Sequence, residues 1–287
     1  MFKDYYSLTK FGLVLGNVIT VIAGFMLVAG GHIDLVLFFS TIAGISLVMA
    51  SGCVFNNYID RDIDAVMSRT KDRPLVMGRI SGRAALIFGA LLGIAGFSLL
   101  ALTTNLLTLG VALFGFFFYV VMYSIWWKRR SVYGTFVGSI AGAVPPLVGY
   151  TAAGGGLDLG ALILFAIMVS WQMPHFFAIA IRRGHEYAAA GIPVLPVKRG
   201  VPATKFAMML YVNMFIVTTS MLTVFGYTGL LTLVVALALG LTWLGLCLKG
   251  LRLTDASADV RWARTMFLFS LAVMMLFFIT VIIDVAL

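Results

Sequence analysis

Charge is scarce in this chain. Asp, Glu, Lys and Arg make up 11% of its 287 residues, against roughly 25% in soluble globular domains. That deficit excludes a domain solvated mainly by water. Cysteine is almost absent: Cys53 and Cys247 both lie inside apolar runs, so no disulfide framework is implied. The apolar runs leave no room for a separate soluble domain. A net charge of +9 is the one feature that suggests nucleic acid, but the basic residues are scattered between apolar runs, and membrane orientation explains that pattern better.

What is abundant is apolar surface, at 62% of residues. A membrane-spanning helix needs about 20 mostly apolar residues. Nine candidate runs meet that need, at about 11–30, 35–56, 84–103, 106–126, 132–152, 160–181, 206–226, 229–249 and 264–284. The expected fold is therefore all-α and polytopic, one membrane domain over residues 1–287. The first run is too long for a signal peptide and has no clear cleavage site. If nine spans alternate, all 20 Lys and Arg fall on one side, and the opposite loops hold only His32, Asp34 and Asp158, with Asp284 near the C-terminus. The positive-inside rule then puts the N-terminus in the cytoplasm and the C-terminus outside. Two long loops, about 57–83 and 182–205, lie on the basic side and mix charge with the apolar, proline-containing stretches Arg73-Pro74-Leu75-Val76 and Ile192-Pro193-Val194-Leu195-Pro196-Val197. Loops of that length and content read as caps over a site.

The second run ends in Asn56-Asn57-Tyr58-Ile59-Asp60-Arg61-Asp62-Ile63-Asp64. On a helix, Asn56, Asp60 and Asp64 sit within roughly 80° of one face and span about 12 Å, while Asp62 points away. Two carboxylates a turn apart repel unless a cation intervenes. An amide and two carboxylates suit Mg²⁺, which completes its shell with substrate phosphates and water. Lys128-Arg129-Arg130 after the fourth run suits diphosphate oxygens or a plain membrane anchor. Glu186, near Arg182, Arg183 and Tyr187, could hold a second Mg²⁺ or be solvated. Within the sixth run, Trp171-Gln172-Met173-Pro174-His175-Phe176 places Gln172 and His175 at membrane depth, where polar groups usually face an interior path. Pro174 predicts a kink there, and Pro145-Pro146 a break in the fifth run. The many Phe, Met and Tyr residues could line an isoprenoid tunnel or simply pack against lipid.

Asn56 to Asp64, followed by Arg69-Thr70-Lys71-Asp72-Arg73-Pro74-Leu75, resembles the UbiA superfamily of intramembrane aromatic prenyltransferases. The resemblance covers essentially the whole chain. It implies nine helices and a prenyl diphosphate bound through Mg²⁺ and Asp-rich motifs. Cys53 to Asp64, Trp171 to Phe176, Ile192 to Val197 and Tyr123 to Arg129 are similar to the branch whose acceptor is heme. That similarity implies transfer of farnesyl from farnesyl diphosphate to a vinyl group of heme B, with addition of water, at a site facing the cytoplasm of a bacterial inner membrane. Asn56, Asp60 and Asp64 would hold the metal. Arg73, Lys128 and Arg129 would neutralise diphosphate, and Arg69, Tyr123, Gln172, Arg182, Arg183 and Tyr187 would complete the contacts to diphosphate or heme. His175 would either orient heme through its iron or position the water. The product would pass to heme A synthase or to terminal oxidase assembly. The second Asp-rich motif usual in the superfamily is missing, and Glu186 alone stands in that region. Three other functions compete: prenylation of a quinone precursor, transport, and structural heme binding. The missing second motif weighs against the first. Carboxylates at the mouth weigh against transport, and their pairing against a merely structural heme subunit.

Overall fold

The computed structural model describes residues 2–287, which form helices and loops with no strand among the described residues. In chain order the helices are α1 (Phe2–Leu8), α2 (Phe11–Ala29), α3 (Leu35–Ile59), α4 (Arg61–Val66), α5 (Gly82–Thr103), α6 (Leu106–Phe117), α7 (Gly134–Gly142), α8 (Val144–Ala152), α9 (Leu159–Arg182), α10 (Gly184–Ala189), α11 (Leu195–Val224), α12 (Leu230–Leu251) and α13 (Ala256–Ala286). A π-helical segment, Phe118–Trp127, continues α6. Eight of these helices, α6 counted with its π extension, are long and apolar enough to cross a membrane. The expected fifth run instead forms two nine-residue helices, α7 and α8, which meet at Ala143 just before Pro145-Pro146. Proline has no N–H to donate and clashes with the preceding turn, so the chain restarts its helix there. Pro174 behaves differently. Helix α9 runs through it unbroken, packed against α11, α13, α7 and α8, in a bundle where neighbouring groups can satisfy the carbonyl that proline leaves free.

The few polar residues have specific duties. Asp34 caps α3, Asn105 caps α6, Asp158 caps α9 and Asp255 caps α13, each accepting a backbone N–H of the first turn. Inside the bundle, Thr41, Thr151 and Ser170 are buried and hydrogen-bonded to helix carbonyls. Outside, large apolar side chains such as Leu102, Leu106, Val36 and Leu230 are exposed. A surface this apolar needs lipid as its solvent, and the protein is a multi-pass membrane protein. Small residues bring backbones together, since lipid supplies no hydrophobic drive between helices. A Cβ on Gly24 of α2 would lie 2.0 Å from Pro146 O of α8, and one on Gly149 of α8 would lie 2.0 Å from Val21 O. Helices α2 and α8 therefore pack backbone to backbone.

Candidate active site

Helix α3 stops at Ile59, and Asp60 adopts φ −89°, ψ 4° before α4 begins. The hydrogen-bond ladder survives this joint. Asp60 N donates to Asn56 O at 2.9 Å and Asp64 N to Asp60 O at 2.8 Å. Asn56, Asp60 and Asp64 thus remain on one face, as the spacing predicts, and they are 3%, 1% and 5% exposed. Asn56 Nδ2 donates to Asp60 Oδ2 at 2.8 Å and to Ser124 Oγ at 3.0 Å.

Each of the three residues meets a cation of the chain. Lys128 Nζ pairs with Asp60 Oδ2, Arg73 Nη1 with Asp64 Oδ2 at 2.5 Å, and Lys10 Nζ donates to Asn56 Oδ1 at 2.6 Å. Burial pushes the Lys10 ammonium down to about 8. Asp60 Oδ1 is buried with no hydrogen-bond partner, and Arg129 Nη2, 3.8 Å away, is beyond hydrogen-bond reach. A buried anionic oxygen left unbonded costs free energy unless something binds it. The donor set is oxygen only, one amide and two carboxylates, which fits a hard divalent cation that draws further ligands from a diphosphate. No group of three or more His, Cys, Asp or Glu residues able to hold a metal occurs among the described residues, so such a site would need the Asn56 amide and the substrate's own oxygens.

These groups line a cavity of about 530 Å³, together with Arg69, Tyr123, Arg182, Arg183 and Tyr187. Burial raises the Tyr187 phenol above its ordinary value. The loop residues Ile192, Pro193 and Val194 also face the cavity, and Ile192 packs with Ile63 and Met67, which ties the two long loops to each other. A second cavity of about 370 Å³ is mostly apolar and contains Gln172 and His175. The two share Leu13, Tyr119, Gly138, Phe176 and Phe267 as walls, so the polar and apolar spaces adjoin. Gln172 is largely committed to structure there: Nε2 donates to Ser139 O at 3.2 Å and Met168 O at 3.0 Å, and Gly142 leaves room for its amide.

Two expected site residues lie outside both cavities. Arg129 grips Asp62 with two bonds of 2.6 and 2.7 Å and donates to Ile59 O at 2.7 Å. These bonds hold the Asp62 carboxyl down to about 2. Arg129 is therefore a brace across the joint between α3 and α4. Glu186 accepts from Arg183 at 2.5 Å. Its burial alone would raise the carboxyl, but the bonds from Arg183 and Ser68 bring it below its ordinary range.

Two further contributors are not legible from spacing. Lys10 precedes the first apolar run and looks like one more basic flank; its reach to Asn56 depends on a left-handed backbone at φ 49°, a conformation that costs a non-glycine residue on the order of 1 kcal/mol. Asn57 Nδ2 holds that turn by donating to Leu8 O at 2.8 Å. The other is the π-helical segment. Its wider turns, visible in Lys128 N donating to Tyr123 O at 3.0 Å, deliver Ser124 to Asn56, stack the Tyr119 and Tyr123 rings 6.0 Å apart, and aim Lys128 at Asp60. π turns inside α-helices are frequent at functional sites.

A model of the UbiA prenyltransferase family matches residues 17–271. The protoheme IX farnesyltransferase of Protochlamydia amoebophila (strain UWE25) is 54% identical over 284 residues, covering 99% of each chain. That of Sodalis glossinidius (strain morsitans) is 53% identical over 271 residues, covering 94% of this chain and 91% of the relative. Among solved structures, a digeranylgeranylglyceryl phosphate synthase superposes with a TM-score of 0.82 at 20% identity, covering 99% of this chain and 98% of its own. A UbiA homolog from Archaeoglobus fulgidus bound to GPP and Mg²⁺ superposes with a TM-score of 0.73 at 14% identity, covering 95% of this chain and 99% of its own. The last two likenesses concern fold alone. The family match over most of the chain and the identity to relatives over nearly all of it establish that the chain belongs to the UbiA prenyltransferase family.

Proposed function

We propose that the chain transfers a farnesyl group from farnesyl diphosphate to a vinyl group of heme B, with addition of water, giving heme O and diphosphate. The observation that carries this reading is the junction of the two cavities: a pocket of paired carboxylates and cations adjoins an apolar, aromatic chamber. A prenyl diphosphate has the same two halves. Relatives more than half identical bear the name of this reaction.

Asn56, Asp60 and Asp64 would hold Mg²⁺, which when bound supplies neutralisation of the charge on the departing diphosphate. Lys128, Arg73, Arg69, Arg182 and Arg183 bind the remaining phosphate oxygens. Lys128 and Arg73 are held in place by Asp60 and Asp64, so little reorganisation is needed when charge develops. The Tyr119 and Tyr123 rings line the polar cavity, with Tyr119 on the wall it shares with the apolar chamber. Their faces stabilise the allylic cation, and the apolar walls keep bulk water from quenching it. The cation's terminal carbon bonds to the end of the vinyl group. The adjoining carbon, now positive, takes water and releases one proton. Heme propionates find partners among the loop arginines.

In the membrane, α7 and α8 in series cover about 28 Å, enough for a ninth span. The side bearing the polar cavity and all 20 Lys and Arg would face the cytoplasm of a bacterial inner membrane. Loops 57–83 and 182–205 cap the site. The test is an assay of purified protein in detergent with heme B, farnesyl diphosphate and Mg²⁺, read by mass spectrometry of extracted heme. The expected product is heme heavier by one farnesyl and one water, formed only when Mg²⁺ is present. Unmodified heme alongside a prenylated phenolic acceptor would overturn the acceptor.

A further inference from the structure

The apolar chamber has a definite end. On α3, Asn56 lines the polar cavity, and Ile45 is the residue furthest down the helix that lines the apolar one. They are eleven residues apart, which on a helix is about 16 Å. Helix α9 gives the same span, from Ile179 in the polar cavity to Met168 in the apolar one. Beyond that level the bundle is closed. Val144 reaches from α8 to α6, where a Cβ on Gly115 would fall 2.7 Å from its Cγ1. Met274 of α13 faces α2, with its Cε 4.0 Å from a Cβ built on Gly16. Just past Pro145, α2 and α8 meet backbone to backbone at Gly24 and Pro146.

An extended prenyl chain advances about 5 Å for each isoprene unit, through four bonds of about 1.5 Å. Three units need about 15 Å and four need about 20 Å. The distance from the level of Asn56 to the floor therefore holds a farnesyl chain and is one unit short of geranylgeranyl. The backbone contact of α2 with α8 cannot yield without parting the helices, so the usable length depends on the side chains at that end. Met168 and Met274 are 1% and 8% exposed and belong to one buried cluster. Methionine is unbranched and adaptable, and it fills irregular gaps. Beyond Cβ the pair carries about as many heavy atoms as the five carbons of one isoprene unit.

We infer that Met168 and Met274 determine the chain-length specificity of the donor, holding it to three isoprene units. That the chamber takes a prenyl chain rests on the reaction proposed above. With its diphosphate held by the metal site, Lys128 and Arg73, the donor cannot slide toward the polar cavity to gain room. A longer chain must fold back on itself or displace a methionine. A shorter one leaves the methionines facing unfilled space and forfeits their dispersion contacts.

The test uses the full chain in detergent with Mg²⁺ and the geranyl, farnesyl and geranylgeranyl thiolodiphosphates, which resist ionisation. Binding is read by isothermal titration calorimetry, and inorganic diphosphate reports an intact polar cavity. The wild-type chain should bind farnesyl at least about 10-fold more tightly than geranylgeranyl, although added apolar surface alone would favour the longer chain. Met168→Ala combined with Met274→Ala should bring the two to near-equal affinity. Gly16→Leu, which places a side chain opposite Met274, should weaken farnesyl at least about 10-fold and spare geranyl. Diphosphate affinity should be the same in every variant. Should the double variant lose diphosphate binding, Gly16→Leu decides: an unchanged ratio of farnesyl to geranyl affinity overturns the inference. Equal wild-type affinity for farnesyl and geranylgeranyl overturns it as well, since the tail would then leave the chamber for the lipid. So does a wild-type preference retained by a double variant that still binds diphosphate. The three natural diphosphates are then offered together with heme B, with products read by mass spectrometry. Farnesyl preference in binding with no prenylated heme would refute the reaction and leave the length limit standing.

Discussion

The pairing of Lys128 with Asp60 makes a prediction that separates the stability of the site from its chemistry. The Asp60 side chain is 2% exposed and that of Lys128 is 17% exposed, so each charge depends on the other. Removing one partner of a buried pair typically costs 3–5 kcal/mol, whereas removing both together is often nearly neutral. Asp60→Asn keeps shape and leaves the ammonium against a neutral amide, which should cost about 3 kcal/mol. In Lys128→Met the carboxylate keeps the 2.8 Å bond from Asn56, so the loss should be smaller, about 2 kcal/mol. The double variant should lose about 2 kcal/mol, giving a coupling of about 3 kcal/mol between the two sites. The assay is reversible unfolding in mixed micelles with increasing SDS, followed by circular dichroism. Farnesyl transfer should be abolished in Asp60→Asn and stay abolished in the double variant, although stability recovers, because the metal-binding oxygen is still missing. Additive losses, within about 0.5 kcal/mol, would refute the claim that the pair is energetically coupled. Activity in the double variant would refute the assignment of Asp60 as a metal ligand.

Two other predictions concern parts away from the reacting atoms. Gly149→Ala, whose Cβ would fall 2.0 Å from Val21 O, should force α2 and α8 apart and cost about 3 kcal/mol or more, while Gly110→Ala, with nothing within 4 Å, should be neutral in the same unfolding assay; equal effects would disprove the close helix contact. Asp62→Asn should cost under about 1 kcal/mol, because Asp62 is 63% exposed and its ion pair with Arg129 is screened. The Asp62 carboxyl sits at about 2 against an ordinary 3.8, so the pair's contribution is complete above about pH 4 and disappears as the pH falls through about 2. The difference in stability between wild type and Asp62→Asn should follow that course, and a difference that grows as the pH falls would reverse the sign of the argument.

Much of the protein was determined by its sequence alone. Apolar runs of bilayer length, with Lys and Arg segregated between them, dictate membrane helices, because lipid offers the backbone no hydrogen-bond partners. Helical periodicity likewise brings Asn56, Asp60 and Asp64 to one face, and tertiary packing has only to preserve it. Other features depend on contacts between distant segments. Arg129 and Lys128 are neighbours in sequence, yet the π turn and the joint at Asp60 send one to Asp62 outside the cavity and the other to Asp60 within it. Lys10 reaches Asn56 across 46 residues, and His175 Nδ1 meets Ser270 Oγ across 95. Pro145-Pro146 stands in the first turn of a new helix, where a missing N–H costs nothing, while Pro174 is carried inside α9. Periodicity reports which face of one helix a residue occupies; which partner that face meets is decided by packing between helices, and a local pattern carries no record of it.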